Sequence, residues 1–156
     1  MLYTPEQRRR RDASRWTLVQ GVLAPLQFAV MLGSAALIVR YLDSGAGYGL
    51  VTASILLKTL LLYLIMITGS LWEHDVFGEY LFVDAFFWED VVSMGVMVLH
   101  TAYLVGLFTG WMEPVALVWL ALVAYGAYFV NAAQFLLKLR RARLESAAVS
   151  RSLEAA

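Results

Sequence analysis

The chain has 156 residues, of which 61% are hydrophobic and only 15% are charged. About half of a soluble domain is apolar, so this composition predicts an integral membrane protein. The absence of cysteine excludes disulfides, thiolate nucleophiles, Cys-ligated zinc and iron–sulfur clusters. Twelve basic and twelve acidic residues balance, so no net charge favours a nucleic-acid partner, and none is expected.

Four segments are long and apolar enough to cross a bilayer, which takes roughly 20 mainly apolar residues. In chain order they are residues 16–39, 49–71, 91–112 and 114–137. An open sheet could not satisfy its backbone in lipid, so each span is expected to be a helix. The first span is longer than the apolar core of a signal peptide and is treated as retained. The sequence therefore predicts an all-α integral membrane bundle of four transmembrane helices in one domain, residues 1–156.

Basic residues flank the outer ends of the first and fourth spans, in the tails 1–15 and 138–156. The positive-inside rule then predicts that both termini are cytoplasmic. Residues 40–49 and 110–114 become short far-side connections, which predict tight antiparallel helix pairs, and residues 72–90 form the cytoplasmic link. Gly106 and Gly110 have a G-x-x-x-G spacing that permits close helix contact, within one bundle or in a homo-oligomer.

Ionisable side chains inside the spans are costly in lipid and are therefore candidates for function. Lys58 lies near the middle of the second span, where it either pairs with a polar helix group or meets a carboxylate. His100 follows Glu89 by almost three helical turns, roughly 16 Å along one face. It is either a hydrogen-bonded core imidazole or a group for binding or proton transfer. Polar residues of the first and fourth spans recur at helical spacing and predict the inward faces: Gln20, Gln27, Ser34, Tyr128, Asn131, Gln134 and Lys138.

Half of the chain's carboxylates lie between residues 71 and 92, with seven aromatic residues and no Lys or Arg. They are Glu73, Asp75, Glu79, Asp84, Glu89 and Asp90. Desolvation beside lipid and aromatic rings favours the protonated carboxyl, which suits general acid–base chemistry. The alternative is a solvated interfacial loop, which we favour for the three acids in the middle of the segment. No phosphate loop, G-x-S-x-G turn, H-E-x-x-H motif or closed zinc set is present.

Four stretches resemble the 3-vinyl bacteriochlorophyllide hydratases of photosynthetic bacteria. They are YTPEQRRRRDASRWTLVQGVLAPLQFAVML, KTLLLYLIMITGSLWE, FFWEDVVSMGVMVLHTAYL and YFVNAAQFLLKLRRARL, within residues 3–144. The resemblance implies a carbon–oxygen lyase of bacteriochlorophyll biosynthesis in the bacterial inner or intracytoplasmic membrane. It would add water to the C3 vinyl group of a chlorophyllide-type Mg-tetrapyrrole, giving a 1-hydroxyethyl group. No cofactor is expected, because the substrate carries the magnesium.

Hydration of a conjugated vinyl group starts with protonation of its terminal carbon, and water then attacks the inner carbon while a base removes a proton. A segment rich in acids and free of bases offers an acid, a base and negative potential for the cationic intermediate. The acids at the helix ends are the catalytic candidates: Glu89 and Glu73 first, then Asp90.

Five further residues are candidates for substrate binding. His100 is the candidate axial ligand to the substrate's magnesium or a holder of water, with no metal site of the protein's own. Lys58 is the candidate partner of a carboxylate, on the substrate's propionate or on the protein. Trp72, Trp88 and Phe87 are candidates for stacking on the flat macrocycle.

Two other classes of function fit the same sequence. A non-catalytic pigment carrier or assembly factor would bind a chlorophyllide without changing it. A small transporter subunit or membrane scaffold would bind no pigment, and Lys58 would be a coupling or pairing charge.

Overall fold

The computed structural model describes the backbone of residues 1–154 and the side chains of residues 1–151, and every regular element in that part is an α-helix. The elements are α1 (Pro5–Ala13), α2 (Arg15–Ser44), α3 (Tyr48–Phe77), α4 (Phe87–Thr109) and α5 (Pro114–Glu154). Helices α2 to α5 are each long and apolar enough to cross a membrane. The prediction of an all-α bundle with four spans is therefore confirmed.

The four long helices form two hairpins. Gly45 ends α2 at φ 69°, a left-handed conformation open to glycine because it has no Cβ, and α3 begins at Tyr48. Residues 110–113 turn α4 back into α5. Helix α2 packs mainly on α3 and α4 mainly on α5, while α3·α4 and α2·α5 contacts join the hairpins. This arrangement confirms the tight antiparallel pairs expected from the short connections.

Helix α1 is an element that the sequence analysis missed. Thr4 and Gln7 form a capping box, with the Gln7 N–H donating to Thr4 Oγ1 at 3.2 Å and the Thr4 N–H to Gln7 Oε1 at 2.9 Å. The motif Thr-Pro-Glu-Gln signals such a start. Just before it, Tyr3 is 4% exposed and stacks on Phe77, with ring centroids 5.9 Å apart. Burial raises the pKa of Tyr3, so its hydroxyl stays neutral against the end of the bundle.

The bundle is apolar outside and partly polar inside. Leu18, Val98 and Phe108 are 73%, 66% and 75% exposed on its outer surface, as suits helices that face lipid rather than water. The polar or charged residues buried in the interior are Gln27, Ser34, Lys58, Thr59, Glu73, Glu89, Asp90, Ser93, His100 and Asn131. The predicted inward faces of the first and fourth spans are therefore confirmed.

The link between the second and third spans is shorter than predicted. Helix α3 continues through Trp72 and Glu73 to Phe77, because no Gly or Pro occurs between Trp72 and Gly78, which ends the helix at φ 90°. Helix α4 begins at Phe87, so only residues 78–86, here called the linker, connect the two helices. The expectation of a link over residues 72–90 is wrong in extent, and the candidate acids lie on helices. Helix α5 also continues well past the expected helical stretch, to Glu154.

Candidate active site

Glu73 and Asp90 form a buried carboxyl pair between the end of α3 and the start of α4. They are 4% and 3% exposed, and their carboxyl groups lie within hydrogen-bonding reach of each other. Two ionised carboxylates at such a distance repel, so the contact is favourable when the pair holds one proton. Glu73 Oε2 is buried and has no hydrogen-bond partner among the described residues. A proton held between the two groups would satisfy it.

The linker covers the carboxyl pair with backbone donors. The Phe82 N–H donates to Asp90 Oδ2 at 2.8 Å, and the backbone of the next residue, Val83, lies beside the Glu73 carboxyl. Phe82 has φ 59°, a left-handed conformation that costs a side-chain-bearing residue about 1–2 kcal/mol. Such a conformation turns successive N–H groups toward one concavity, a geometry that binds anions. The Phe82 amide thereby stabilises negative charge on the pair.

Glu89 is held by an ion pair with Lys138 of α5. The Lys138 ammonium donates to Glu89 Oε2 and to the backbone oxygen of Ala85 in the linker. The Glu89 side chain is 8% exposed and that of Lys138 28%. Asn131 Nδ2 donates to the Glu89 backbone oxygen at 2.9 Å. The acid segment contains no base of its own, and α5 brings Lys138 to its acids.

A groove opens beside Glu89 along α4 and α5. It has a volume of about 330 Å³, at the small end for ligand pockets. Its lining residues are Glu89, Gln134, Leu137, Lys138, Arg141, Ala142 and Glu145. Gln134 Oε1 is buried and has no partner among the described residues. A water molecule needs such polar partners, so the groove offers a place for one beside Glu89.

Lys58 and His100 belong to a second polar layer, deeper in the bundle. Lys58 is 0% exposed, and its ammonium donates to Gln27 Oε1 at 3.3 Å and lies 3.8 Å from the ring centroid of Tyr128. His100 Nδ1 is 2.9 Å from the Val96 backbone oxygen, an acceptor, so Nδ1 carries the proton. Nε2 is buried with a free lone pair and has no partner among the described residues. That atom is a potential metal ligand, about 16 Å along α4 from Glu89.

The three aromatic candidates lie in different surroundings. The Trp72 indole donates to Thr17 Oγ1 at 3.0 Å and packs edge-on against Phe86, with centroids 5.7 Å apart. The Trp72 ring is therefore engaged in contacts within the protein. Phe87 and Trp88 are 41% and 68% exposed and contact each other edge to face. Their rings are accessible next to Glu89 in the chain.

The structure thus brings together the three predicted catalytic acids and separates them from Lys58 and His100. It also adds residues that the sequence analysis did not assign to the site: Lys138, Asn131, Gln134 and the linker amides. The inward stripe of the fourth span already contained the three side chains, at helical spacing. Nothing in the sequence signalled the backbone conformation of Phe82.

Residues 3–141 match the family model described as 2-vinyl bacteriochlorophyllide hydratase (BCHF). A relative of that name from Cereibacter sphaeroides is 63% identical over 145 residues, which cover 92% of this chain and 89% of the relative. Another relative of the same name, from Rhodobacter capsulatus, is 60% identical over 146 residues, covering 94% and 85%. No solved structure matches the chain. Glu73, Glu89, Asp90 and Lys138 all lie within the matched range.

Proposed function

Because the chain belongs to the 2-vinyl bacteriochlorophyllide hydratase family, we propose that it is a hydro-lyase adding water to the vinyl group of a chlorophyllide-type Mg-tetrapyrrole. The product carries a 1-hydroxyethyl group, and the step belongs to bacteriochlorophyll biosynthesis. The resemblance implied a vinyl group at position 3 of the macrocycle, and the family name places it at position 2. In both cases the reactive group is a vinyl. Adding water transfers no electrons, so the reaction needs no redox cofactor, and the magnesium comes with the substrate.

The observation that carries the mechanism is a buried pair of carboxyl groups, Glu73 and Asp90, beside the ion-paired carboxylate of Glu89; we infer that the pair holds one proton. In the first step, the Glu73–Asp90 pair gives its proton to the terminal vinyl carbon. The pair is then doubly negative, while positive charge develops on the inner carbon and spreads into the macrocycle. Fixed negative charge in a site without bulk water stabilises such a cation strongly. Lys138 does not oppose this effect, because Glu89 balances its charge.

In the second step, water attacks the inner carbon and forms the carbon–oxygen bond. Glu89, the carboxylate partner of Lys138, accepts the proton that this water releases. Gln134 Oε1, a buried acceptor in the same groove, would orient the water. The proton then passes from Glu89 to the neighbouring carboxyl pair, which restores the starting state. Atoms balance, since one water is consumed and the protein ends unchanged.

Substrate must reach acids that the linker now covers. We propose that the linker moves aside, since its Phe82 amide is held by one hydrogen bond and a strained backbone. The exposed rings of Phe87 and Trp88 offer a flat surface for the arriving macrocycle. Ligation of the magnesium by His100 stays a prediction. The vinyl lies only a few bonds from the macrocycle's metal, so His100 at its present depth and Glu89 could not serve one bound molecule together without a helix shift.

We propose that the protein lies in the bacterial cytoplasmic membrane, with Glu73, Glu89 and Asp90 on the cytoplasmic side. The arginines before α2 and the basic residues late in α5 support this orientation by the positive-inside rule. The chain has no cysteine, so single-cysteine variants report the topology directly. In spheroplasts, an impermeant thiol reagent should label Ala46→Cys, in the α2–α3 turn, and leave Glu79→Cys unlabelled. The reverse pattern would overturn the orientation.

Turnover tests the function. Purified protein is incubated with vinyl chlorophyllide in ¹⁸O-labelled water, and the pigment is followed by absorption and mass spectrometry. We expect a product that gains one labelled water and loses the vinyl conjugation. Pigment that binds and stays unchanged would instead identify a carrier. No binding at all would favour a scaffold.

A further inference from the structure

We infer that Arg141, with Lys138 beside it, binds the propionate carboxylate of the substrate in the α4–α5 groove and so selects free-acid tetrapyrroles over their esters. This inference rests on the proposed function, which supplies the substrate. A chlorophyllide is a large apolar disc whose free propionate is a charged group. A membrane protein that binds such a disc needs a cation for this carboxylate near the membrane surface.

Two cations, Lys138 and Arg141, line the groove, and within residues 1–151 Arg141 has no ion-pair partner. The Lys138 ammonium has three N–H donors and uses two of them, for Glu89 and for the Ala85 backbone oxygen. Arg141 is exposed, lines the groove and forms no ion pair with any side chain in residues 1–151. Its planar guanidinium can hold a carboxylate through two parallel hydrogen bonds, which an ammonium cannot do. The groove therefore combines a free fork of donors with one spare ammonium proton.

Glu145, an acidic residue of the same groove, does not pair with Arg141. Glu145 lies one turn later on α5, but the two side chains form no ion pair. An acid four residues after its base is the weaker orientation for a helix pair. A carboxylate arriving between Arg141 and Lys138 thus meets the Arg141 guanidinium and the third Lys138 N–H, which no acid within residues 1–151 occupies. Removing Glu145 should leave substrate binding intact or strengthen it.

The position of Arg141 also fits the proposed chemistry. It follows Lys138 by three residues, a rise of about 4.5 Å along α5, and Lys138 contacts the proposed base, Glu89. In a chlorophyllide the vinyl and the propionate stand on neighbouring rings of the macrocycle. Anchoring the propionate at Arg141 therefore directs the vinyl-bearing side of the disc toward Glu89. Lys58, the candidate from the sequence, is fully buried in the deeper layer.

The test compares two substrates and two arginine variants of the full chain in lipid nanodiscs. The substrates are the free-acid vinyl chlorophyllide and its methyl ester, and the variants are Arg141→Gln and Arg140→Gln. Arg140 is the matched control, because it is an exposed neighbour on the same helix that does not line the groove. Dividing kcat/KM for the acid by that for the ester cancels differences in membrane partitioning between variants.

We expect the parent to prefer the acid and Arg141→Gln to lower this ratio about 10- to 100-fold, the usual effect of a charge-assisted hydrogen bond. The loss should appear in kcat/KM for the acid, because the anchor both binds and orients this substrate. Ester turnover should be unchanged, and Arg140→Gln should match the parent. Arg141→Lys should recover part of the preference. Equal preference of the parent for acid and ester would overturn the inference while leaving the hydratase function standing.

An equal loss in Arg140→Gln would also overturn it, because the charge would then act through the membrane surface and not through the groove. Absence of hydration in the parent would refute the proposed function itself. Pigment binding, followed by fluorescence in the Glu73→Gln variant, gives a second measurement that needs no turnover. If Arg141→Gln added to that variant does not weaken binding of the acid, the assignment to Arg141 is wrong.

Discussion

Replacing Lys138 by methionine tests how strongly α5 holds Glu89. The substitution keeps most of the length of the side chain but leaves the Glu89 carboxylate, 8% exposed, without its ammonium. Breaking a fully buried pair costs about 3–5 kcal/mol, and an exposed pair is worth about 0–1 kcal/mol. Because the Lys138 side chain is 28% exposed, the expected loss lies between these limits, at about 2–3 kcal/mol.

A double-mutant cycle isolates the pair. The free energy of unfolding is measured in detergent for the parent, Lys138→Met, Glu89→Gln and the double variant. Glu89→Gln removes the buried charge. The loss of stability in the double variant should therefore be smaller than the sum of the two single losses by at least about 1 kcal/mol. Arg140→Met serves as the control for loss of one positive charge, and we expect it to stay within about 0.5 kcal/mol of the parent.

A coupling energy below about 0.5 kcal/mol would show that solvent screens the pair. The reasoning that gives Glu89 a fixed, ion-paired role as the base would then fail. Activity supplies a second reading of the same variants. Glu89→Gln and the double variant should both lack turnover, because neither has the carboxylate that accepts the proton from water.

Three more predictions follow from the same geometry. Glu73→Gln and Asp90→Asn should each lower kcat by about 10²–10⁴-fold with little loss of stability, since the amide still hydrogen-bonds to its partner; a parental rate would rule out that acid. Phe82→Gly should be more stable to unfolding than Phe82→Ala by about 0.5–1 kcal/mol, because both lack the ring and only alanine keeps the left-handed strain. Equal stabilities would show that the strain is absent. Lys58→Met should be neutral or stabilising by thermal unfolding, because it removes a buried charge held only by Gln27 and aromatic rings; a loss above about 2 kcal/mol would contradict this.

Much of the fold follows from local properties of the chain. The four spans come from the length of apolar runs, and the inward faces come from polar residues at helical spacing. Both are independent of how the helices pack. The capping motif that begins α1 is also a local signal, although the sequence analysis did not predict this helix from it. The predicted link, residues 72–90, was longer than the observed one, because acidic residues at helix ends resemble a solvated loop in sequence.

The amino-acid sequence by itself determined that three acids gather where the second and third spans meet, with aromatic residues around them. Only the tertiary structure decided their partners: Glu73 with Asp90, and Glu89 with Lys138. The reason is that the partners stand on three different helices, and their contact depends on each helix's rotation and axial position. Those quantities are set by packing along the whole bundle and by the backbone conformation of the linker. Local sequence spacing encodes neither.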